Sequence, residues 1–149
     1  MNKIVTKWRN KDNEYKFRGK GIASNEWYYG DLIIDEGRYY ICLQVNDHIK
    51  RDDYEVYMIE VIPETVGQYT GLKDKNGKEI YSEDIIKYTL QNHKTNEIYY
   101  ENFIVMWKEE TASYVIKNNI KGTLCVDYVK TAGEVIGNTT DNLELLKEE

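Results

Sequence analysis

The sequence predicts a mainly β protein. It has an N-terminal β lobe, a small barrel-like C-terminal β lobe and a short C-terminal helix. Three observations predict it. Tyrosine is abundant, 14 residues against two Phe and three Trp, and its apolar ring with a polar tip suits strands that have one wet face. Short runs of β-branched and aromatic residues recur between polar, turn-forming stretches. Helical patterning is scarce and confined to the C-terminal part.

The first strand is residues 27–34, WYYGDLII, and the second is 39–45, YYICLQV. Asp35, Glu36, Gly37 and Arg38 between them form turns readily, so the two runs read as a hairpin. In the second run, Tyr39, Ile41 and Leu43 share one face, and Tyr40, Cys42 and Gln44 share the other. Residues 46–53, NDHIKRDD, are a polar loop, and 55–62, EVYMIEVI, are a strand ended by Pro63.

Residues 71–79, GLKDKNGKE, resemble a ligand loop at first sight. A phosphate loop needs four residues between its first glycine and the Gly-Lys pair, followed by a hydroxyl residue. Five residues separate Gly71 from Gly77, and Glu79 stands in the hydroxyl's place. A calcium loop counted from Asp74 needs glycine at its sixth position, but Gly77 falls fourth. The segment therefore reads as a turn with Asn76-Gly77 at its tip, both residues tolerating positive φ. Asp74 and the lysines are expected to keep that tip solvated, and the turn to deliver the chain into a strand over 84–90.

Residues 91–97 are loop. Residues 98–107 form one long strand, or two strands meeting at a bulge near Glu101-Asn102. Residues 108–111 turn the chain back into a strand over 113–117, and 134–137 make a short apolar strand. For 124–131 the pattern does not separate helix from strand. The final stretch 141–149, DNLELLKEE, reads as a helix capped by Asp141, with Glu144 closing a capping box and Leu143, Leu145 and Leu146 docking it. The chain's 149 residues suit one domain. A division between lobes 1–62 and 63–149 is expected, with the boundary near Pro63 to Gly71.

The formal charge is −6, with acidic and basic residues interspersed, so the chain lacks the basic stripe that draws nucleic acid. No run approaches the roughly 20 apolar residues of a membrane span. The N-terminal residues lack the apolar core of a signal peptide, which makes the cytoplasm the expected compartment. Cys42 and Cys125 sit in apolar runs and read as reduced, small hydrophobes. His48 and His93 lie in polar loops. Glu79, Glu83 and Asp84 are the densest carboxylate group and read as a solvated rim. No catalytic motif, cofactor site or metal site survives inspection. Paired tyrosines, Tyr28-Tyr29, Tyr39-Tyr40 and Tyr99-Tyr100, should each send one ring inward and one outward.

Four blocks carry a family resemblance: KFRG (16–19), EWYYGDLI (26–33), PETVGQYTGLKDKNGKEIYSEDIIK (63–87) and EVIGNTTDNLELL (134–146). They resemble the YopX-like proteins of bacteriophages and prophages, in order and over nearly the whole chain. The chain departs from the family at two places. The family's Glu-Gly-Asp is Ser82-Glu83-Asp84 here, and Leu143 stands where the family has proline. The resemblance implies a mainly β fold with barrel-like structure in the C-terminal part, a phage context and no known activity.

The expected function is a non-enzymatic accessory protein of the infected bacterial cytoplasm, binding a phage or host protein, with a homo-oligomer as a further expected partner state. The alternative is single-stranded nucleic-acid binding on strand aromatics. A metal-dependent hydrolase built on Glu79, Glu83 and Asp84 ranks third. The residues expected to carry an interaction are Tyr69, Tyr81, Asp84, Tyr28 and Tyr100.

Overall fold

Eleven short strands account for most of the described chain, as the tyrosine-rich runs predict. The computed structural model describes residues 16–43, 57–119 and 121–146. His48, Asp52 and Asp53, and the ends of the expected strands at 44–45 and 55–56, lie outside them. The chain divides between Gly71 and Leu72 into two units.

In the first unit, β1 (Phe17–Lys20), β2 (Trp27–Asp35), β3 (Arg38–Leu43), β4 (Tyr57–Val61) and the start of β5 (Gly67–Lys73) lie in the antiparallel order β4-β3-β2-β1-β5. The expected β2–β3 hairpin is present. Asp35 pairs with Arg38, and Glu36 and Gly37 between them both take positive φ, at 46° and 80°. Two consecutive left-handed residues match the right-handed twist of the flanking strands. The register aligns Leu32, Ile41 and Ile59 in one row, and Ile41 is fully buried. Strand β4 folds back onto the end of β1 through a single Gly21–Val61 bridge. The Ile62 N–H donates to the Lys20 carbonyl at 2.9 Å, and the Ile22 N–H to that of Glu60 at 3.1 Å. Gly19 permits this approach, because a Cβ there would lie 2.8 Å from Val61 Cγ2. A single 3-10 turn, Pro63–Thr65, follows, and its Thr65 hydroxyl accepts from the Lys20 N–H at 2.8 Å. Strand β1 is too short, and β5 too rich in glycine and polar residues, for period-2 alternation to reveal them.

The second unit begins in the last residues of β5, which pair with β6 (Glu79–Tyr81). Its main sheet holds β7 (Asp84–Gln91), β8 (Ile98–Lys108), β9 (Ser113–Asn118), β10 (Gly122–Cys125) and β11 (Gly133–Asn138), in the antiparallel order β10-β9-β8-β7-β11. That order has two ends, so the expected barrel-like lobe is an open sheet. Strand β8 is one strand: its register against β7 runs without a break from Ile104 to Ile98. The irregularity lies elsewhere, between Val135 and Gly137 where β11 pairs with β7. One face of the sheet buries Ile86, Phe103, Val105 and Ile116 with Ile80 and Val135. Each such side chain contributes about 1.5–3 kcal/mol through its removal from water. The undecided stretch 124–131 resolves into the end of β10, a 3-10 turn Val126–Tyr128, and helix α1 (Val129–Ala132). This short segment lays Val126 and Val129 over the core.

The expected C-terminal helix is a single 3-10 turn, Leu143–Leu146. Asn138 helps to organise its approach. The Asn138 side-chain oxygen accepts from the N–H groups of Thr140 and Asp141, at 3.0 and 2.9 Å.

The GLKDKNGKE segment is a three-residue loop, not a two-residue turn. Asp74 and Lys78 close it, the Asp74 N–H donating to the Lys78 carbonyl at 2.8 Å. Gly77 alone in the loop takes positive φ, 83°, the arrangement of a type I turn followed by a left-handed residue. Asp74 does not solvate the tip, being only 4% exposed. Its Oδ1 accepts from the N–H groups of Asn76 and Lys78, at 2.8 and 2.9 Å. Its Oδ2 accepts from the N–H of Val135 at 2.9 Å. The Lys75 N–H donates to the Gly133 carbonyl at 3.1 Å, and Lys75 Nζ lies 3.3 Å from Glu134. The loop thus satisfies the Gly133 carbonyl and the Val135 N–H at the start of edge strand β11, groups that would otherwise be open to pairing with another chain.

Candidate functional site

Strand β8 alternates. Phe103 and Val105 point into the core, so Tyr100, Asn102, Ile104 and Met106 share the opposite face. On that face Thr89 stands beside Tyr100 and Lys87 beside Asn102, while Lys117 of β9 stands beside Ile104. An open groove of about 640 Å³ lies here, with Ile104 and Met106 in its lining and Leu145 and Leu146 contributed by the C-terminal turn. The Asn102 side-chain amide donates to the Leu145 carbonyl at 2.8 Å, holding that turn against the groove.

Charge in the groove is uneven. Lys87 Nζ sits 4.5 Å from the centre of the Tyr100 ring, a cation–π distance. Lys117 is exposed. Among the described residues no carboxylate lies within salt-bridge distance of either lysine. Glu101 also lines the groove, with its carboxylate accepting from the Asn118 amide at 3.3 Å. The groove therefore carries two cationic groups, one engaged carboxylate and an aliphatic lining. No nucleophile is paired with a base there.

The residues singled out from the sequence do not converge on this groove. Tyr100 belongs to it and is 58% exposed. Tyr81 and Asp84 lie together at the corner between β6 and β7, but they are only 2% and 1% exposed. Asp84 Oδ2 accepts the Tyr81 N–H, and the Tyr81 hydroxyl donates to Glu79, both at 2.8 Å. Tyr28 and Tyr69 belong to the first unit. The Tyr28 hydroxyl donates to Ser24 at 3.0 Å, and the Tyr69 N–H donates to the Lys16 carbonyl at 2.8 Å. Of the paired tyrosines, Tyr29 and Tyr100 are exposed and their neighbours half-buried, whereas Tyr39 and Tyr40 are both half-buried. Lys87, Ile104, Met106 and Lys117 did not stand out in the sequence. The period-2 pattern of β8 carries the signal, since both of its faces hold apolar residues.

The three clustered carboxylates have separate structural uses. Glu79 receives the Tyr81 hydroxyl and Asp84 the Tyr81 N–H. Glu83 receives the Thr139 hydroxyl at 2.9 Å. No group of three or more His, Cys, Asp and Glu able to hold a metal occurs among the described residues. His93 is exposed on a turn. Cys42 is half-buried and Cys125 exposed, both as free thiols, so Cys125 does not pack as its apolar run suggests. Among the described residues no helix is long and apolar enough to cross a membrane.

A solved structure, protein EF1440 from Enterococcus faecalis, is similar in fold. Its TM-score is 0.55 at 19% identity, over 90% of this chain and 99% of that one. No curated protein matches the chain. The family model described as YopX protein matches residues 16–147, which takes in both units and the segment joining β5 to β7, and on that match the chain belongs to the YopX family.

Proposed function

We propose that this protein is a non-enzymatic phage accessory protein of the infected bacterial cytoplasm, and that it binds another protein through the groove beside β8. The observation that carries the reading is the groove itself. It combines aliphatic side chains, an exposed tyrosine and two lysines on a sheet face. Interfaces favour such aromatic and apolar side chains at their centre with polar groups around them. Pull-down from infected host lysate tests it, with wild type compared against Tyr100→Ala and Met106→Asp. Loss of a captured protein in both folded variants supports the reading. Capture that is unchanged in both removes it.

A second reading, single-stranded nucleic-acid binding, draws on two lysine–tyrosine pairs. Lys87 lies over Tyr100 at 4.5 Å and Lys121 over Tyr99 at 5.2 Å. Such binding strengthens as salt falls. An oligonucleotide that shows no anisotropy change at low salt ends this alternative.

A further inference from the structure

The partner's chemistry can be read from the groove, an inference that rests on the protein-binding reading above. We propose that the groove receives an extended acidic peptide segment in which two carboxylates flank an aliphatic side chain. Lys87 and Lys117 stand on β7 and β9, on either side of β8. Their partners on β8, Asn102 and Ile104, are two residues apart. Two strand spacings across and two residues along place their backbones about 12 Å apart. An extended peptide directs residues i, i+2 and i+4 to one side, and i to i+4 spans about 13 Å. Carboxylates at the two outer positions then meet the two lysine side chains, and the middle side chain falls over β8 between Asn102 and Ile104.

Two further observations favour this occupant. Ile104, Leu145 and Leu146 line the groove, so an aliphatic side chain meets aliphatic surface there. Glu101 is the one carboxylate in the lining, so the two lysines leave the groove net positive. A nucleic-acid strand suits the groove less well. Tyr100 is the one aromatic residue in its lining, and the Lys87 ammonium already covers that ring. A base would have to displace the ammonium to stack.

The test uses the full chain and a fluorescein-labelled peptide with the pattern Asp-Ala-Leu-Ala-Asp, followed by anisotropy. A matched peptide with Asn for Asp and an oligothymidylate strand serve as comparisons. Saturable binding of the acidic peptide is expected, at least about tenfold tighter than its neutral match and weaker as salt rises. The double substitution Lys87→Glu/Lys117→Glu, at two exposed positions, should weaken it at least about tenfold. Equal binding of acidic and neutral peptides, tighter binding of the oligothymidylate, or no binding of the acidic peptide overturns the proposal. Lysate capture separates it from the parent reading. If a partner is lost on Met106→Asp but kept by the double lysine variant, the acidic specificity fails and the binding groove stands. If capture survives both, the groove reading fails too.

Discussion

Replacing Asp74 with alanine removes the acceptor of three backbone N–H groups at once, those of Asn76, Lys78 and Val135. The Val135 N–H is in a buried bond, so leaving it unsatisfied costs its full desolvation, about 1–3 kcal/mol. The other two face a loop that water can reach, and losing each bond costs about 0.5–1.5 kcal/mol. The expected loss is about 4 kcal/mol, a large share of the ~5–15 kcal/mol that holds a typical domain. Glu134→Gln is the control: it removes only the half-exposed ion pair with Lys75, worth about 0–1 kcal/mol. Urea denaturation measures both, and hydrogen exchange over residues 133–138 locates the damage at β11. An Asp74→Ala variant within about 1 kcal/mol of wild type, with β11 amides still protected, would refute the reasoning. The pH dependence gives a second check. Burial pushes the Asp74 carboxyl upward, but hydrogen bonds from Val135, Lys78 and Asn76, with the Lys78 charge, outweigh it and hold its pKa below the usual 3.8. The carboxylate's contribution is therefore present above that value and lost as pH falls through the lower folded pKa. The gap between wild type and Asp74→Ala should narrow only below about pH 4.

Glu83 takes a left-handed φ of 68° where the family resemblance leads one to expect glycine. Relieving that conformation gains about 1–2 kcal/mol, less about 0.4–1 kcal/mol from the freer unfolded chain. Glu83→Gly should thus exceed Glu83→Ala by roughly 1 kcal/mol in urea melts, both having lost the Thr139 contact, and equal melts would reject the strain argument. Gly30→Ala would drive a Cβ into the Cys42 carbonyl oxygen of the neighbouring strand. A cost above about 2 kcal/mol is expected, since backbone cannot rotate away as a side chain can, and a wild-type melt would contradict it. Burial raises the Tyr114 hydroxyl above its usual pKa of 10.0. Its contribution is present below pH 10 and fades as pH rises through the folded value, so Tyr114→Phe should flatten the alkaline loss of stability above about pH 10. An unchanged alkaline curve would argue against it.

Strand existence was legible from residues because it depends on local alternation. The 27–34 and 39–45 runs announced β2, β3 and their Glu36-Gly37 turn, and the 98–107 run announced β8. Strands β1, β5 and β6 were not legible. β1 and β6 have only four and three residues, and β5 carries two glycines and polar residues, so none shows a clear apolar alternation; β1 also takes a partner, Gly67 and Gln68, about fifty residues on. The candidate groove was hidden for the same reason. Lys87, Ile104, Lys117 and Leu145 lie on four separate elements, and only strand register makes them neighbours.

By itself the sequence determined the β character of this protein, the hairpins that turn chemistry specifies, and its likeness to the YopX family. These rest on preferences of a few adjacent residues, which the chain carries locally. Tertiary structure decided the rest. It made the second lobe an open sheet, because its end strands β10 and β11 do not pair with each other. It turned GLKDKNGKE from a solvated tip into the cover of an edge, because the backbone N–H of Val135, 61 residues away, needs an acceptor that the strand cannot supply. The charge of Asp74 is visible in the sequence, but the donor it serves is set only when the two segments meet.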